Sequence, residues 1–255
     1  MKISIITVTF NSAETLPDTI ESVLRQDYDD YEYLVIDGGS KDATVDIIKQ
    51  YEPRFGGKMR WISEPDRGMY DGINKGIRMA TGDVVGIINS DDFYHRNDIF
   101  RIINSSFEEN PGIQAIYGDV RFVTPDNLDK TVRYYSSAKF KPAKFRWGWM
   151  PAHPTFFTYR SNFDKYGLYK TDYHIAADYE LLIRFLYTNH LPARYIPVDF
   201  MKMRTGGRST NGIKSNIVLN QEIVRGCREN GIYTNMAMLF LKYFVKVFEL
   251  IKTRD

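Results

Sequence analysis

Within its first hundred residues the chain alternates four short β-rich apolar runs with four segments of helical periodicity, and this limits what it can fold into. Residues 3–10 are almost continuously apolar, as in a strand buried on both faces. A helical stripe of Leu16, Ile20, Val23 and Leu24 follows, with Thr15 as candidate cap and Asp18 three residues on. Residues 32–36 read as a second strand, 42–51 as a helix with Asp42 as candidate cap, and 59–63 as a short third strand. Residues 68–81 carry Ile73, Ile77 and Ala80 on one helical side and stop at Gly82. Residues 84–88 form a fourth strand, and 97–107 a helix ended by Pro111. The repeat predicts an α/β fold: a mostly parallel sheet with right-handed crossovers and helices on both faces.

The second half is less regular. Residues 115–123, 155–159 and 195–203 read as strands and 178–186 as a short helix. Gly206-Gly207 marks a loop, and the chain from Ser215 onward reads as helical with a break at Gly231. The expected organisation is one unit over 1–210, divided into a donor-binding half (1–110) and an acceptor half (111–210). A helical C-terminal extension over 211–255 completes it.

Composition narrows the function. The formal charge is only +2, from 34 basic and 32 acidic side chains, so nucleic acid is not the expected partner. No apolar run reaches the roughly 18–20 residues of a bilayer span. Cys227 is the only cysteine, which excludes an internal disulfide and fits a reducing, cytoplasmic setting. Met1 to Ile6 loosely resembles the start of a signal peptide, but Thr7, Thr9 and Asn11 interrupt it, and a buried first strand is the better reading.

In an open parallel sheet, ligands bind beyond the carboxyl ends of the strands. Asn11 follows the first strand, Asp37-Gly38-Gly39-Ser40 the second, Glu64, Asp66, Arg67 and Gly68 the third, and Asn89-Ser90-Asp91-Asp92 the fourth. A single acid in such a loop is usually a cap or turn former. Four polar loops on one rim are a stronger signal. Asp91 and Asp92 are adjacent carboxylates that repel unless a cation or strong donors sit there, and hard oxygen ligands favour Mg²⁺ or Mn²⁺. Asp37 suits a ribose or base contact, with Gly38 and Gly39 admitting the ligand to the backbone; a glycine-rich turn held by Asp37 is the rival reading.

These segments resemble, in order, those of the family-2 glycosyltransferases. The stretches are Ile3 to Asn11, Val35-Ile36-Asp37-Gly38-Gly39-Ser40, Asp66-Arg67-Gly68-Met69-Tyr70-Asp71-Gly72-Ile73-Asn74-Lys75-Gly76, and Ile88-Asn89-Ser90-Asp91-Asp92. The resemblance implies a GT-A type, Rossmann-like fold and an inverting enzyme that takes its sugar from a nucleotide-diphosphate donor, read as a UDP-sugar. It implies that Asp37 binds the base and that Thr9 and Asn11 lie beside base and ribose. Asp66, Arg67, Asp71 and Asn74 would line the donor. Asn89, Ser90, Asp91 and Asp92 would form the Asp-x-Asp element, with Asp91 and Asp92 on the metal. Many relatives carry Asp where this chain has Asn89, which leaves metal binding to the other two acids.

Further along, His174-Ile175-Ala176-Ala177-Asp178-Tyr179-Glu180 resembles the family's Glu-Asp element, with Ala177 in place of the Glu, and makes Asp178 the expected catalytic base. Read alone, Asp178 is a helix cap. His153 and Arg208 stand where contacts to acceptor or diphosphate are expected; a structural histidine and an ordinary turn are the rivals. The implied acceptor is a glycan or a lipid-linked precursor. Two other functions fit an α/β layout: a sugar-nucleotidyltransferase, and a non-catalytic glycan-binding protein. The first wants a glycine-rich basic loop where this chain has Asn11-Ser12-Ala13-Glu14, and the second needs no acid cluster. At the C-terminus, Leu239, Phe240, Tyr243, Phe244, Val247, Phe248 and Ile251 form an apolar stripe beside Lys242, Lys246 and Lys252. Such a helix can lie peripherally on the inner membrane face, pack on the sheet, or join a homodimer.

Overall fold

A computed structural model describes residues 1–206 and 213–240 of the chain. The alternating first half supplies β1 (Ile3–Thr9), β2 (Tyr31–Asp37), β3 (Met59–Ser63) and β4 (Val84–Ile87), paired in parallel in the order β3-β2-β1-β4. The register sets Thr9 level with Asp37 and Asp37 level with Ser63, so three strands deliver polar residues along one line. The second half supplies β5 (Phe93–Tyr94), β6 (Ala115–Thr124), β7 (Asn127–Tyr135), β8 (Phe157–Tyr159) and β9 (Ala193–Arg204). Antiparallel β8 joins β4 to β6, β9 runs parallel to β6, β5 closes that edge, and β7 forms a hairpin with β6.

The helices are α1 (Leu16–Leu24), α2 (Thr44–Tyr51), α3 (Met69–Met79), α4 (Ile99–Glu108), α5 (Ser161–Tyr166), α6 (Ala177–Ile183) and α7 (Ile213–Glu229). Strand alternation divides the core between them. Ile6, Leu34 and Ile36 face Ile73 and Ile77 of α3 and the cluster around Leu181 and Leu182 of α6. Ile3, Ile5, Tyr33 and Val35 face the other way, onto Ile20 of α1, Ile48 of α2 and Phe100 of α4. Helices therefore cover both faces, as the β-α repeat requires.

Helix α3 lies close against β1. A Cβ at Gly76 would stand 2.5 Å from Ile6 Cγ2, and one at Gly72 would stand 2.7 Å from Val8 Cγ1. Each glycine costs about 1 kcal/mol of helix propensity relative to alanine. The close contact they permit fixes the α3 N-terminus against the polar rim.

Several local expectations are revised. Thr15 occupies the cap position of α1, but its hydroxyl makes no cap bond, and Asp18 pairs with Arg204 instead. Helix α6 begins at Ala177, so Asp178 lies inside its first turn and Ala176 is the cap residue. The helix then passes into a π-helical turn at Arg184–Thr188. Strands β5 and β7 and helix α5 were not expected from sequence. Along β7, side chains such as Val132 and Tyr134 are exposed, so no buried face marks the strand.

The start of the C-terminal segment packs internally. Ile223, Cys227, Ile232 and Leu239 belong to the same core cluster as α6, and Gly231 breaks the chain at φ 73°. The expected amphipathic helix lies outside the described residues beyond position 240, as does Arg208. No helix among the described residues is long and apolar enough to cross a membrane.

Candidate active site

The rim is assembled from side chains that tie one loop to the next. Asp37 is fully buried at the end of β2. Its Oδ2 accepts the N–H of Gly39 at 3.1 Å, the N–H of Ser40 at 3.0 Å and the hydroxyl of Ser63 at 2.6 Å, while Oδ1 accepts the Ser40 hydroxyl at 2.5 Å. A carboxylate has about four lone-pair sites, two on each oxygen, so Oδ1 keeps one acceptor direction beyond these bonds. The turn-forming role is therefore filled.

The loop after β1 is joined to the loop after β2. Asn11, at a left-handed φ of 50° that asparagine tolerates, donates its N–H to Ser40 Oγ at 2.7 Å. Its side-chain oxygen accepts the Lys41 N–H at 2.8 Å. Asp42 accepts the N–H groups of Ala13 and Thr44, and bonding to the Thr44 hydroxyl holds its carboxyl below the usual range. The Thr9 hydroxyl, at the end of β1, is buried with no hydrogen-bond partner.

After β3, Asp66 accepts the Gly68 N–H at 2.9 Å and lies against Gly38, where a Cβ would stand 2.8 Å from its Oδ2. The glycine in the β2 loop is thus what lets Asp66 enter the rim. Arg67 bonds the Asp71 carboxyl at 3.1 Å and holds it below its usual range. Asn74 turns away from this group. Its amide and carbonyl form reciprocal bonds with the backbone of Tyr169, at 2.8 and 3.0 Å, so its observed task is to join α3 to the second half of the chain.

After β4, Ser90 donates to the Ser12 hydroxyl at 3.0 Å, and Asn89 donates its amide to Asp92 at 3.0 Å. Asp92 is buried and Asp91 half-buried. Burial, reinforced by the charge of Asp91, pushes Asp92 up to about 8 against the pull of Asn89 and Arg204. Arg204, at the end of β9, bonds the Asp91 carbonyl and the Asp18 carboxylate and so ties this loop to α1. No group of three or more His, Cys, Asp and Glu side chains suited to a metal occurs among the described residues. A divalent ion would take Asp91 and Asp92 from the protein and complete its oxygen shell from substrate and water, a division that suits Mg²⁺ or Mn²⁺. A carboxyl raised by its neighbour's charge is the local condition that a cation relieves.

The second polar centre surrounds Asp178. Its Oδ1 accepts the Tyr179 N–H at 2.7 Å. Burial raises its pKa, and His153, the Tyr179 N–H and the Tyr70 hydroxyl oppose that rise. His153 bonds the Tyr169 hydroxyl at 2.7 Å, and the Tyr169 ring stacks on Tyr70 at 5.9 Å. Burial also pushes the His153 imidazole below its ordinary value.

Asp178 makes a capping contact within the first turn of α6, while another carboxylate serves the backbone ahead of the helix. Glu222 of α7 accepts the N–H groups of His174, Ile175 and Ala176 at 2.7, 2.9 and 2.8 Å. Tyr70 lies inside a segment singled out from sequence. Tyr169, Glu222 and Arg204 act through long-range contacts with no local sequence signal. A recess of about 110 Å³ opens between Arg67, Tyr70 and Asp71 on one side and Thr171 and His174 on the other. A larger hollow of about 520 Å³, lined by Ile77, Arg160 and Phe163, lies toward the opposite end of α3 and is lined by none of the site residues.

Residues 4–167 match the model of a family described as glycosyl transferase family 2. The chain is similar to a PGL/p-HBAD biosynthesis glycosyltransferase of Mycobacterium bovis BCG, at 28% identity over 210 residues that cover 82% of this chain and 79% of that one. In fold it is similar to residues 1–349 of S. aureus TarS in complex with UDP, with a TM-score of 0.67 at 16% identity, over 91% of this chain and 67% of that one. It spans 40% of the longer TarS chain. It is also similar in fold to the mannosyltransferase PcManGT of Pyrobaculum calidifontis in complex with GDP-Man and Mn²⁺, with a TM-score of 0.61 at 16% identity, over 97% of this chain and 80% of that one. The family match spans the parallel β-α half with its four polar loops and continues through α5, and on it this chain belongs to glycosyl transferase family 2.

Proposed function

We propose that the protein transfers a sugar from a nucleotide-diphosphate donor, a UDP-sugar, to a hydroxyl of a glycan or lipid-linked acceptor, with inversion at the anomeric carbon. The observation that carries this reading is the position of Asp178. It is a half-buried carboxylate with a raised pKa, the backbone leading into its helix is held by Glu222, and that same backbone is tied at the Ile175 carbonyl to the hydroxyl of Tyr70, from the β3–α3 segment that carries Asp66, Arg67 and Asp71. A carboxylate raised by burial is a stronger base than one in water.

Asp178 accepts the proton of the acceptor hydroxyl, whose oxygen forms the new bond to the anomeric carbon as the bond to the diphosphate oxygen breaks. No protein nucleophile takes part. Asp37, Asn11 and Thr9 take the nucleoside: the open acceptor direction of Asp37 and the unpartnered hydroxyl of Thr9 are what a base and ribose would satisfy. Asp91 and Asp92 would hold a divalent ion, which when bound neutralises charge on the departing diphosphate. The UDP complex of TarS supports a uridine donor, and the GDP-Man and Mn²⁺ complex of PcManGT supports the metal. Nucleoside diphosphate release from a panel of UDP- and GDP-sugars, with Mn²⁺ and a sugar acceptor, tests the reading. Release with no donor of the panel would overturn it.

A further inference from the structure

Between Asp129 and Asp164 the sequence contains seven Lys and Arg residues and no Asp or Glu, in a chain whose formal charge is +2. Four of those cations, Lys139, Lys141, Lys144 and Arg146, fall within eight residues around the 3₁₀ turn Pro142–Trp147. None of the four has a carboxylate partner among the described residues, whereas Arg54, Arg60, Arg96, Arg101 and Arg225 all do. Lys139, Lys141 and Arg146 are exposed, and Trp147 between them and Trp149 is 39% exposed.

The turn is firmly held from below. Phe145 is fully buried, and its carbonyl accepts the Tyr179 hydroxyl. The next carbonyl, that of Arg146, accepts the Thr234 hydroxyl at 2.6 Å, which brings the segment carrying Tyr233, 70% exposed, next to the turn. The adjoining stretch 231–240 carries no charged residue. Unpaired cations and exposed aromatic rings are thus presented by a rigid turn. Neither hollow described above is lined by it.

We propose that the Pro142–Trp147 turn is a docking surface for an anionic lipid bilayer. Trp147 and Tyr233 take the headgroup level, where amphipathic rings are favoured, and Lys139, Lys141 and Arg146 face the lipid phosphates. The cations supply attraction to a surface of distributed negative charge, and the rings supply apolar contact at the headgroup boundary. The Tyr179 hydroxyl anchors this surface to α6, beside Asp178. The surface is formed by residues 139–147 with Tyr233, and its proposed role does not depend on the transfer reaction.

The test is co-sedimentation of the full chain with phosphatidylcholine vesicles, with and without phosphatidylglycerol, at low and raised salt. Binding only to the phosphatidylglycerol vesicles, weakened by salt, is expected. Lys141→Ala and Arg146→Ala each lower the partition about fivefold, and Trp147→Ala lowers it further, with unchanged melting temperature. Equal binding to neutral vesicles, no binding to anionic vesicles, or capture of a soluble anionic polysaccharide in preference to vesicles would overturn the proposal. So would wild-type partition in folded Lys141→Ala/Arg146→Ala protein. The assay uses neither donor nor acceptor, so its failure is distinct from failure of the transfer reading.

Discussion

Asn89 donates its side-chain amide to the Asp92 carboxylate at 3.0 Å. Asn89 is therefore an internal donor to one of the two adjacent acids. Asp91 is left as the more exposed of the pair. Asp91→Asn should weaken metal-dependent donor binding at least tenfold while leaving the fold intact. Calorimetric titration of donor with and without Mn²⁺ reads this directly. Full wild-type turnover in excess chelator would remove the metal from the mechanism.

Glu222 is placed to keep Asp178 in position. Hydrogen bonds to a charged group contribute about 1.5–3 kcal/mol each, and Glu222 receives three from the backbone that leads into α6. Glu222→Ala should lower stability by about 3 kcal/mol or more and reduce kcat, with little change in donor affinity. Glu222→Gln, which keeps one acceptor oxygen, should fall between the two. Thermal melting together with donor titration separates these effects, and unchanged kcat in folded Glu222→Ala would contradict the positioning role.

Asp37 holds the turn after β2, and the proposed function gives it a nucleotide contact as well, so its substitution should show both. Asp37→Ala removes the acceptor of Gly39, Ser40 and Ser63. Loss of the buried acceptor is expected to cost about 1–3 kcal/mol of stability. It should also raise the nucleotide Kd by an order of magnitude or more. Unchanged nucleotide affinity in the folded variant would reduce Asp37 to a turn former.

The rim was legible because β-α alternation places the residue after each strand at the carboxyl edge of the sheet. Asn11, Asp37, Asp66 and Asp91 were found by that rule alone. What it missed lies in contacts between distant segments. Asn74 looks like a donor contact in its motif, yet both of its amide groups are engaged by Tyr169, 95 residues away. Thr15 looks like a cap, yet Ser12 supplies the backbone carbonyl that closes the first turn, accepting from Thr15 and Leu16 at 3.1 and 3.0 Å. Asp18 looks like part of a capping box, yet Arg204 claims it from the far end of the sheet. Asp178 reads as a cap and does accept the Tyr179 N–H of the first turn, but nothing local to it announces Glu222.

Acid stability should report on Glu32 in β2. Burial opposes its ionisation, but the Ser4 hydroxyl, the Thr81 N–H, Arg60 and the Thr81 hydroxyl outweigh that cost and lower its pKa from 4.5 to about 2. A depressed carboxylate stabilises the fold above its unfolded pKa, and that contribution is lost as pH falls through the folded value. The loss should therefore begin below pH 4.5 and be complete near 2. It amounts to about 3 kcal/mol at 1.36 kcal/mol per pKa unit. Urea unfolding from pH 6 to pH 2 checks this: Glu32→Gln should be less stable at neutral pH and flatten the decline.

The central claim is that Asp178 accepts the acceptor proton in sugar transfer. Its most direct test compares Asp178→Asn with wild type, measuring donor affinity by calorimetry and sugar transfer at saturating donor and acceptor. The account predicts unchanged donor affinity and a transfer rate lower by about 10²–10⁴-fold, the usual contribution of a general base. The acid limb of the wild-type rate profile should lie above the ordinary carboxylate range, because burial raises the Asp178 pKa. A folded Asp178→Asn protein that binds donor and transfers sugar at near the wild-type rate would contradict the account.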